Sequence, residues 1–357
     1  MPAPVSRRRF VAGAGAFLTW AVTGAVTAAC TTSRRAEPGG STVVVVANHP
    51  MYIDASTNPG FTAATGTTVE YHEEIDDDEA WLSSVRSRFE RGESIERDVV
   101  IVSEWAADRM ARMRWLDPDP QARLVWGLGM VGIAFRGRSA EITTVAELFQ
   151  RPLHGRVALP ADMRAALGMA LLADRVDPAT VSLEAARSTA SRLANSVRLG
   201  QIRLFDLAGT SRPLDLLVAG EVDAAIIRAS DVIGLEHDHP DIVFVIPEEG
   251  GLLLTDVAVV PVRGANPAGA RAYLDYIGDP VHAAERFRVV PAMWPQESAG
   301  EVEQVLRGDL VGQEVLADPR RNPPPDVRTR LRSFRTLDDR DEAAFAALFD
   351  SVIHAAD

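Results

Sequence analysis

One cysteine, Cys30, stands in 357 residues, and lysine is missing altogether. A lone cysteine excludes an internal disulfide framework and any multi-cysteine zinc site. All 37 basic residues are arginine, which speaks to genome composition more than to function, and 50 acidic residues leave a formal charge of −13. A field of that sign repels a phosphate backbone, so nucleic acid is not an expected partner. No G-x-S-x-G elbow and no H-E-x-x-H helix occurs, which counts against a secreted hydrolase. What is present is ordinary globular material, 46% hydrophobic and 24% charged. That rules out fibrous and disordered chains and suffices for one large or two medium-sized cores.

The first forty residues read as an address. Ser6-Arg7-Arg8-Arg9-Phe10 precedes an apolar run from Val11 to Ala29, interrupted by Gly13, Gly15 and Gly24. Charged-then-apolar is the layout of an export signal, and the paired arginines resemble the twin-arginine pathway. The run is close to the roughly 17–25 residues of a membrane span, so an uncleaved anchor is the alternative. Thr27-Ala28-Ala29-Cys30 resembles a bacterial lipobox with Thr27 in place of the usual leucine. Two outcomes fit: Cys30 lipidated as the first mature residue, which its place after the signal favours, or cleavage to a free secreted form. Loss of residues 1–29 removes three arginines and no acid, taking the formal charge from −13 to −16. Residues 30–42, with Pro38, Gly39 and Gly40, read as a flexible tether.

Beyond the tether, β-branched runs alternate with helix-period segments. Strands are expected at Thr42–Ala47, Thr68–Tyr71, Asp98–Val102, Leu128–Phe135, Arg156–Leu159, Ala224–Ile227, Ile242–Ile246 and Val257–Val260. Helices are expected at Asp76–Glu90, Ala106–Trp115, Arg164–Asp174, Leu183–Asn195, Pro267–Ile277 and Asp341–Ile353. In the first of them Trp81, Val85 and Phe89 share one stripe. This β-α-β order predicts an α/β protein with doubly wound parallel sheets.

The segments V-V-V-A-N-H-P-M-Y-I-D, F-T-A-A-T-G-T-T-V-E-Y and E-E-I-D-D-D-E-A-W then follow one another. Next come D-V-V-I-V-S-E-W-A-A-D-R-M, A-L-P-A-D-M-R-A-A-L-G-M-A-L, V-A-G-E-V-D-A-A-I-I and V-F-V-I-P-E-E-G-G-L-L-L-T-D. In that order, over about residues 43–355, they resemble the periplasmic spermidine/putrescine-binding proteins of ABC importers. The resemblance implies a two-lobe periplasmic-binding-protein fold, type II-like, with a hinge and a doubly wound sheet flanked by helices in each lobe. It places 43–134 and 257–303 in the first lobe and 135–256 and 304–357 in the second. Function would be capture of a small solute by lobe closure, with no catalysis and no cofactor. The implied partners are that solute and the permease and ATPase subunits, with the protein monomeric, extracytoplasmic and touching the membrane only through its lipid.

Polyamine sites neutralise ammonium groups with carboxylates and stack rings on the chain. Carried over by position, the acids are Glu104, Asp162 and Asp256, and the retained aromatics are Trp105 and Tyr52. A neighbouring family acid falls on Ala165. Rings the family would place elsewhere fall on His49, Leu254, Arg228 and Arg288, the last alignment being able to slip to Val289 or Val290. Ring-to-guanidinium exchange reverses the electrostatics, since two like charges 4 Å apart repel by about 4 kcal/mol at an effective dielectric near 20. That is on the order of a thousandfold in affinity. The arginines therefore either pair with the acids or grip a ligand oxyanion, so a zwitterionic or anionic solute, or a sensor that no longer transports, competes with a polyamine.

Each residue also has an ordinary structural reading. Asp162 and Glu104 suit helix caps, Trp105 and Tyr52 a core or lobe interface, Arg228 an interlobe salt bridge, and His49 a turn beside Pro50. The acidic run Glu73–Glu79 lacks the glycine and spacing of a calcium loop and reads as a solvated helix start. His237 and His239 read as an exposed loop, so no metal is expected. A ferric receptor would need adjacent tyrosines, which Tyr52, Tyr71, Tyr273 and Tyr276 do not supply.

Overall fold

The computed structural model describes residues 42–137, 142–149, 153, 155–205, 213–235 and 237–356. The expected export signal, Cys30 and the expected tether up to residue 41 lie outside the described residues. Among the described residues no helix is long and apolar enough to cross a membrane.

The valine runs become buried strands. β1 (Val43–Asn48), β2 (Thr68–Glu73) and β3 (Val99–Ser103) pair in parallel in the order β2-β1-β3. Helices α1 (Thr57–Thr65), α2 (Asp78–Glu90) and α3 (Glu104–Arg112) follow them in turn. β4 (Arg123–Arg136) is the longest strand among the described residues. A second parallel set follows: β5 (Val157–Pro160), β6 (Arg203–Phe205) and β7 (Ala224–Arg228), with β5 between the other two. Between and after them come α4 (Met163–Ala173), α5 (Leu183–Arg198), α6 (Pro213–Ala219) and α7 (Ala229–Val232). β8 (Ile242–Val245) and β9 (Gly251–Val259) complete this part. The chain then runs through α8 (Pro267–Gly278), α9 (Pro280–Val289), α10 (Ala299–Leu306), α11 (Leu310–Ala317) and α12 (Pro325–Arg328). β10 (Leu331–Arg332) and α13 (Asp339–Ile353) close it.

The two-lobe α/β fold is present, with one difference from two all-parallel sheets. Hydrogen bonding is continuous across the order β2-β1-β3-β9-β4-β7-β5-β6, because β4 and β9 run antiparallel to each other between the parallel sets. β9 comes from the second set back toward the first and so meets β3 antiparallel; β4 leaves the first and meets β7 antiparallel. The same two strands change hydrophobic core along their length. Trp126 packs with Val44, Val46 and Tyr273, whereas Val131, Ile133 and Phe135 pack with Leu159, Leu167 and Phe345. On β9, Leu252 belongs to the second core and Val257–Val259 to the first. The changeover spans 126–131 on one strand and 252–257 on the other.

Burial explains the extra helices. α9 and α10 carry Phe287, Val302 and Leu306 into a separate cluster around Trp294, against which Tyr52 packs. α13 returns to the second core through Phe345, Phe349 and Val352.

The turn into β9 fixes the strand that lies under the cleft. Gly250 has φ +114°, and a Cβ there would stand 2.2 Å from the Arg330 carbonyl oxygen. No side chain fits without moving β9 from β10. Gly250→Ala is expected to cost about 2 kcal/mol through backbone strain, read as a fall of roughly 4 °C in melting temperature; an unchanged melting curve would show that the turn relaxes freely.

Candidate functional site

The α/β order brings loop ends from both lobes to one cavity of about 210 Å3. From the first lobe come His49 after β1, Asp76, Asp77 and Asp78 at the start of α2, and Ser103, Glu104 and Trp105 where β3 becomes α3. The second lobe supplies Asp162 and Arg164 at the start of α4 and Arg228 at the end of β7. β9 runs along the floor from Leu252 to Asp256, and Phe334 comes from the segment after β10.

Asp256 sits where the two lobes join. It pairs in register with Ser103 of β3 and with Gly127 of β4, directly after a register shift between Val125 and Gly127. The Tyr52 hydroxyl donates to Asp256 Oδ2 at 2.7 Å. A Cβ on residue 127 would come within 3.3 Å of that hydroxyl, so a glycine is what lets the tyrosine reach. Burial, followed by the neighbouring Asp256 carboxylate, raises the Tyr52 pKa well above its ordinary value and keeps the phenol a donor. Tyr52 therefore holds Asp256 from below.

Asp78 is the second fixed carboxylate. It is 8% exposed and accepts from the Ser103 backbone N–H at 3.2 Å and from the Ser103 hydroxyl. Its other oxygen, Oδ1, has no hydrogen-bond partner among the described residues and faces His49 Nε2 at 3.8 Å. His49 Nδ1 donates to the Ile75 carbonyl at 2.7 Å, which fixes the tautomer of a neutral ring and turns Nε2 toward the acid. Burial raises the Asp78 pKa, His49 and the Ser103 hydrogen bonds draw part of that back, and the Asp256 carboxylate adds to it. Neither the resemblance nor its own spacing nominates Asp78. Its signal is its place three and four residues before Trp81 and Leu82, on the stripe that α2 buries.

Arg228 faces these acids. Among the described residues no hydrogen bond or ion pair engages its guanidinium, so the interlobe salt bridge is not formed. The side chain is exposed and lines the cavity. Burial alone would lower its pKa; Asp256, Asp231 and Asp162 outweigh that and hold it above the ordinary arginine value. It is a secure cation.

The remaining expected residues divide. Asp162 lines the cavity and also caps α4, accepting from the Ala165 N–H at 2.6 Å. Glu104 lines it too, as the first residue of α3, and meets Arg123 at 3.3 Å. Trp105 presents a ring that the Arg164 guanidinium covers at 4.0 Å. Arg288 is not there: it lies on α9 and pairs with Asp309 at 2.6 Å, away from the cavity residues. The acidic segment before α2 is likewise more than a solvated helix start, since Asp76, Asp77 and Asp78 all line the cavity.

A cleft between two lobes, floored by strands that pass from one to the other and lined by carboxylates and a guanidinium, is the architecture of a receptor for a small solute. The chain belongs to the bacterial extracellular solute-binding protein family, whose model matches residues 42–285. No curated protein matches it. Among solved structures it is similar to a Listeria monocytogenes protein provisionally assigned to a spermidine/putrescine ABC transporter, with TM-score 0.71 and 19% identity over 88% of this chain and 99% of that one. The Streptococcus pneumoniae spermidine/putrescine substrate-binding protein PotD, solved with calcium and HEPES, gives TM-score 0.71 and 18% identity over 89% and 100%. AgtB from A. tumefaciens R10, solved with agropinic acid, gives 0.62 and 17% over 87% and 99%.

Because the folded pKa of Asp78 is raised, its contribution to stability is fully present below the ordinary value of 3.8 and is lost as pH rises through the folded value. Asp78→Asn keeps an acceptor for Ser103 and removes the buried charge. Its melting temperature relative to wild type is expected to climb between pH 4 and pH 7, by roughly 2 °C. A difference that stays flat over this range would place Asp78 at an ordinary carboxylate value.

Proposed function

We propose that this protein is the solute receptor of an ABC importer and that its cleft takes a small zwitterion, ammonium toward Asp256 and Asp78 and carboxylate toward Arg228. The observation that carries the reading is Arg228: a charged guanidinium at the cavity, without an ion-pair partner among the described residues, on the lobe opposite Asp78. A carboxylate there would gain a bidentate contact, the geometry guanidinium serves best. An ammonium group would find Asp256 held by Tyr52, and Asp78 with one oxygen unused. Each end of such a ligand draws on a different lobe, so binding favours the closed state. In this reading 43–134 and 257–303 form one jaw, 135–256 and the C-terminal segment the other, and closure presents the complex to a permease and its ATPase. No bond is made or broken.

A polyamine is the second reading, favoured by the excess of acids in the cavity wall: Asp76, Asp77, Asp78, Glu104, Asp162 and Asp256 against Arg164 and Arg228. Several of those acids are already engaged, Asp162 as a cap and Glu104 with Arg123. Kinship by fold adds weight, although a similar fold also holds agropinic acid.

Calorimetric titration with polyamines, amino acids and organic acids separates the two. The tightest ligand is expected to carry both an ammonium and a carboxylate group, and Arg228→Leu is expected to weaken it at least tenfold, or about 1.4 kcal/mol. The same substitution should strengthen any spermidine binding by removing a like charge. Spermidine as the tightest ligand of the wild-type protein, with Asp256→Asn abolishing its binding, would sink the zwitterion reading.

We also propose that Cys30 carries lipid and holds the receptor at the outer face of the membrane after twin-arginine export. Fractionation of cells expressing Cys30→Ala should move the protein from membrane to soluble fraction; unchanged membrane retention would argue for an uncleaved anchor helix.

A further inference from the structure

Three residues of α3 meet the opposite lobe. Trp105 lies under Arg164 of α4 at 4.0 Å, Asp108 accepts from the Thr336 hydroxyl at 3.2 Å, and Arg112 approaches Asp339 at 3.7 Å. Positions 105, 108 and 112 are spaced three and then four apart, which is one face of a helix. The opposing residues belong to the second lobe, where Leu337 and Phe345 enter its core. Arg109, off this face, turns back to Glu79 of its own lobe.

The three contacts differ in weight. Arg112 and Asp339 are 34% and 66% exposed, and such pairs contribute little. Arg164 is 14% exposed and anchored by Glu342 of α13, also 14% exposed, at 2.6 Å. The carboxylate holds one edge of the guanidinium from the second lobe, leaving its flat face for Trp105 on the first. Indole is the ring that holds a cation best, and partial burial raises the worth of the contact.

We propose that Arg164 is a built-in cation for Trp105: lying 4.0 Å over a ring that lines the cleft, it occupies the place a ligand cation would take on that ring and latches the lobes together through the same contact. Arg164 thus sets specificity and closure at once. A ligand ammonium is left with the carboxylate seat at Asp78 and Asp256, and a ligand with a second cation finds no ring to receive it.

Two measurements on the purified protein test this, neither depending on the role assigned to Arg228. In calorimetry with spermidine as probe, Arg164→Gln, which keeps a hydrogen-bond donor for Glu342 without the charge, is expected to bind at least tenfold tighter than wild type. The gain should vanish when the substitution is made in Trp105→Leu. A gain that persists without the indole means that only a repelling charge was removed, and it overturns the proposal, as does no gain at all. In small-angle scattering without added solute, Arg164→Gln and Trp105→Leu should each enlarge the radius of gyration, and the double variant no further. Scattering curves that coincide with wild type overturn the latch. Equal far-ultraviolet circular dichroism of the variants keeps misfolding from imitating either result.

Discussion

Charges gathered in a cleft must each be stabilised as they leave bulk water, and the architecture of this cleft follows from how that demand is met. Asp162 is satisfied by a helix N-terminus, Glu104 by Arg123, and Asp256 by a phenol driven up through a glycine-permitted gap. Asp78 is satisfied on one oxygen only. Arg228 has no direct partner among the described residues and is kept charged by the summed field of three carboxylates. What remains to be satisfied is an oxygen on one lobe and a guanidinium on the other. Those two groups, more than any inventory of residue types, define what the cleft can receive.

The placement of those groups depends on β4 and β9. Both strands pass from one hydrophobic core to the other, and both do so at the level of the cavity floor. Asp256 stands at that changeover, on a stretch where β4 has slipped its register. A carboxylate there is rigidly held where the two lobes join. Asp256 stands on the cavity floor, whereas α3 meets the opposite lobe from the wall.

Much of this is legible in the sequence. The valine runs of β1 and β3 and the stripes of α2 and α5 are signals that buried strands and amphipathic helices cannot avoid producing. Asp256 is readable because an acid between an apolar run and a strand is hard to assign to the surface. Arg228 is readable as a charge at the end of a buried strand. Other features leave no local trace. The stretch of β9 from Gly251 to Asp256 looks like an apolar loop until β10 and β4 are known to pair with it. Asp78 is hidden inside an acidic run, where composition suggests solvent and only the helical phase shows burial. Arg288 is misplaced by the sequence because position in an alignment is its sole support; the side chain lies on α9 and answers to Asp309 instead. Arg164 escapes because its meaning lies in a contact between two helices far apart in the chain.

The absence of lysine has a consequence in the packing. Arg286 is 2% exposed and has no carboxylate partner among the described residues; it donates to the Trp126 carbonyl at 2.8 Å and lies 4.2 Å over the Trp126 ring. Burial lowers its pKa, to about 10, which still leaves it charged at neutral pH. Arg192 over Phe149 and Arg335 over Phe345 stack in the same way nearer the surface, there with carboxylate partners as well, Asp174 and Asp341. A guanidinium can occupy such places because its faces are flat and weakly hydrated, so a ring and a carbonyl suffice where an ammonium would demand water or a carboxylate. Trp126 in turn donates its indole N–H to the Tyr52 carbonyl at 3.2 Å, and Tyr52 holds Asp256. One stacked arginine thus braces the floor of the cleft from beneath while another, Arg164, covers a ring in its wall. The same chemical property of arginine, a flat and weakly hydrated face, does both.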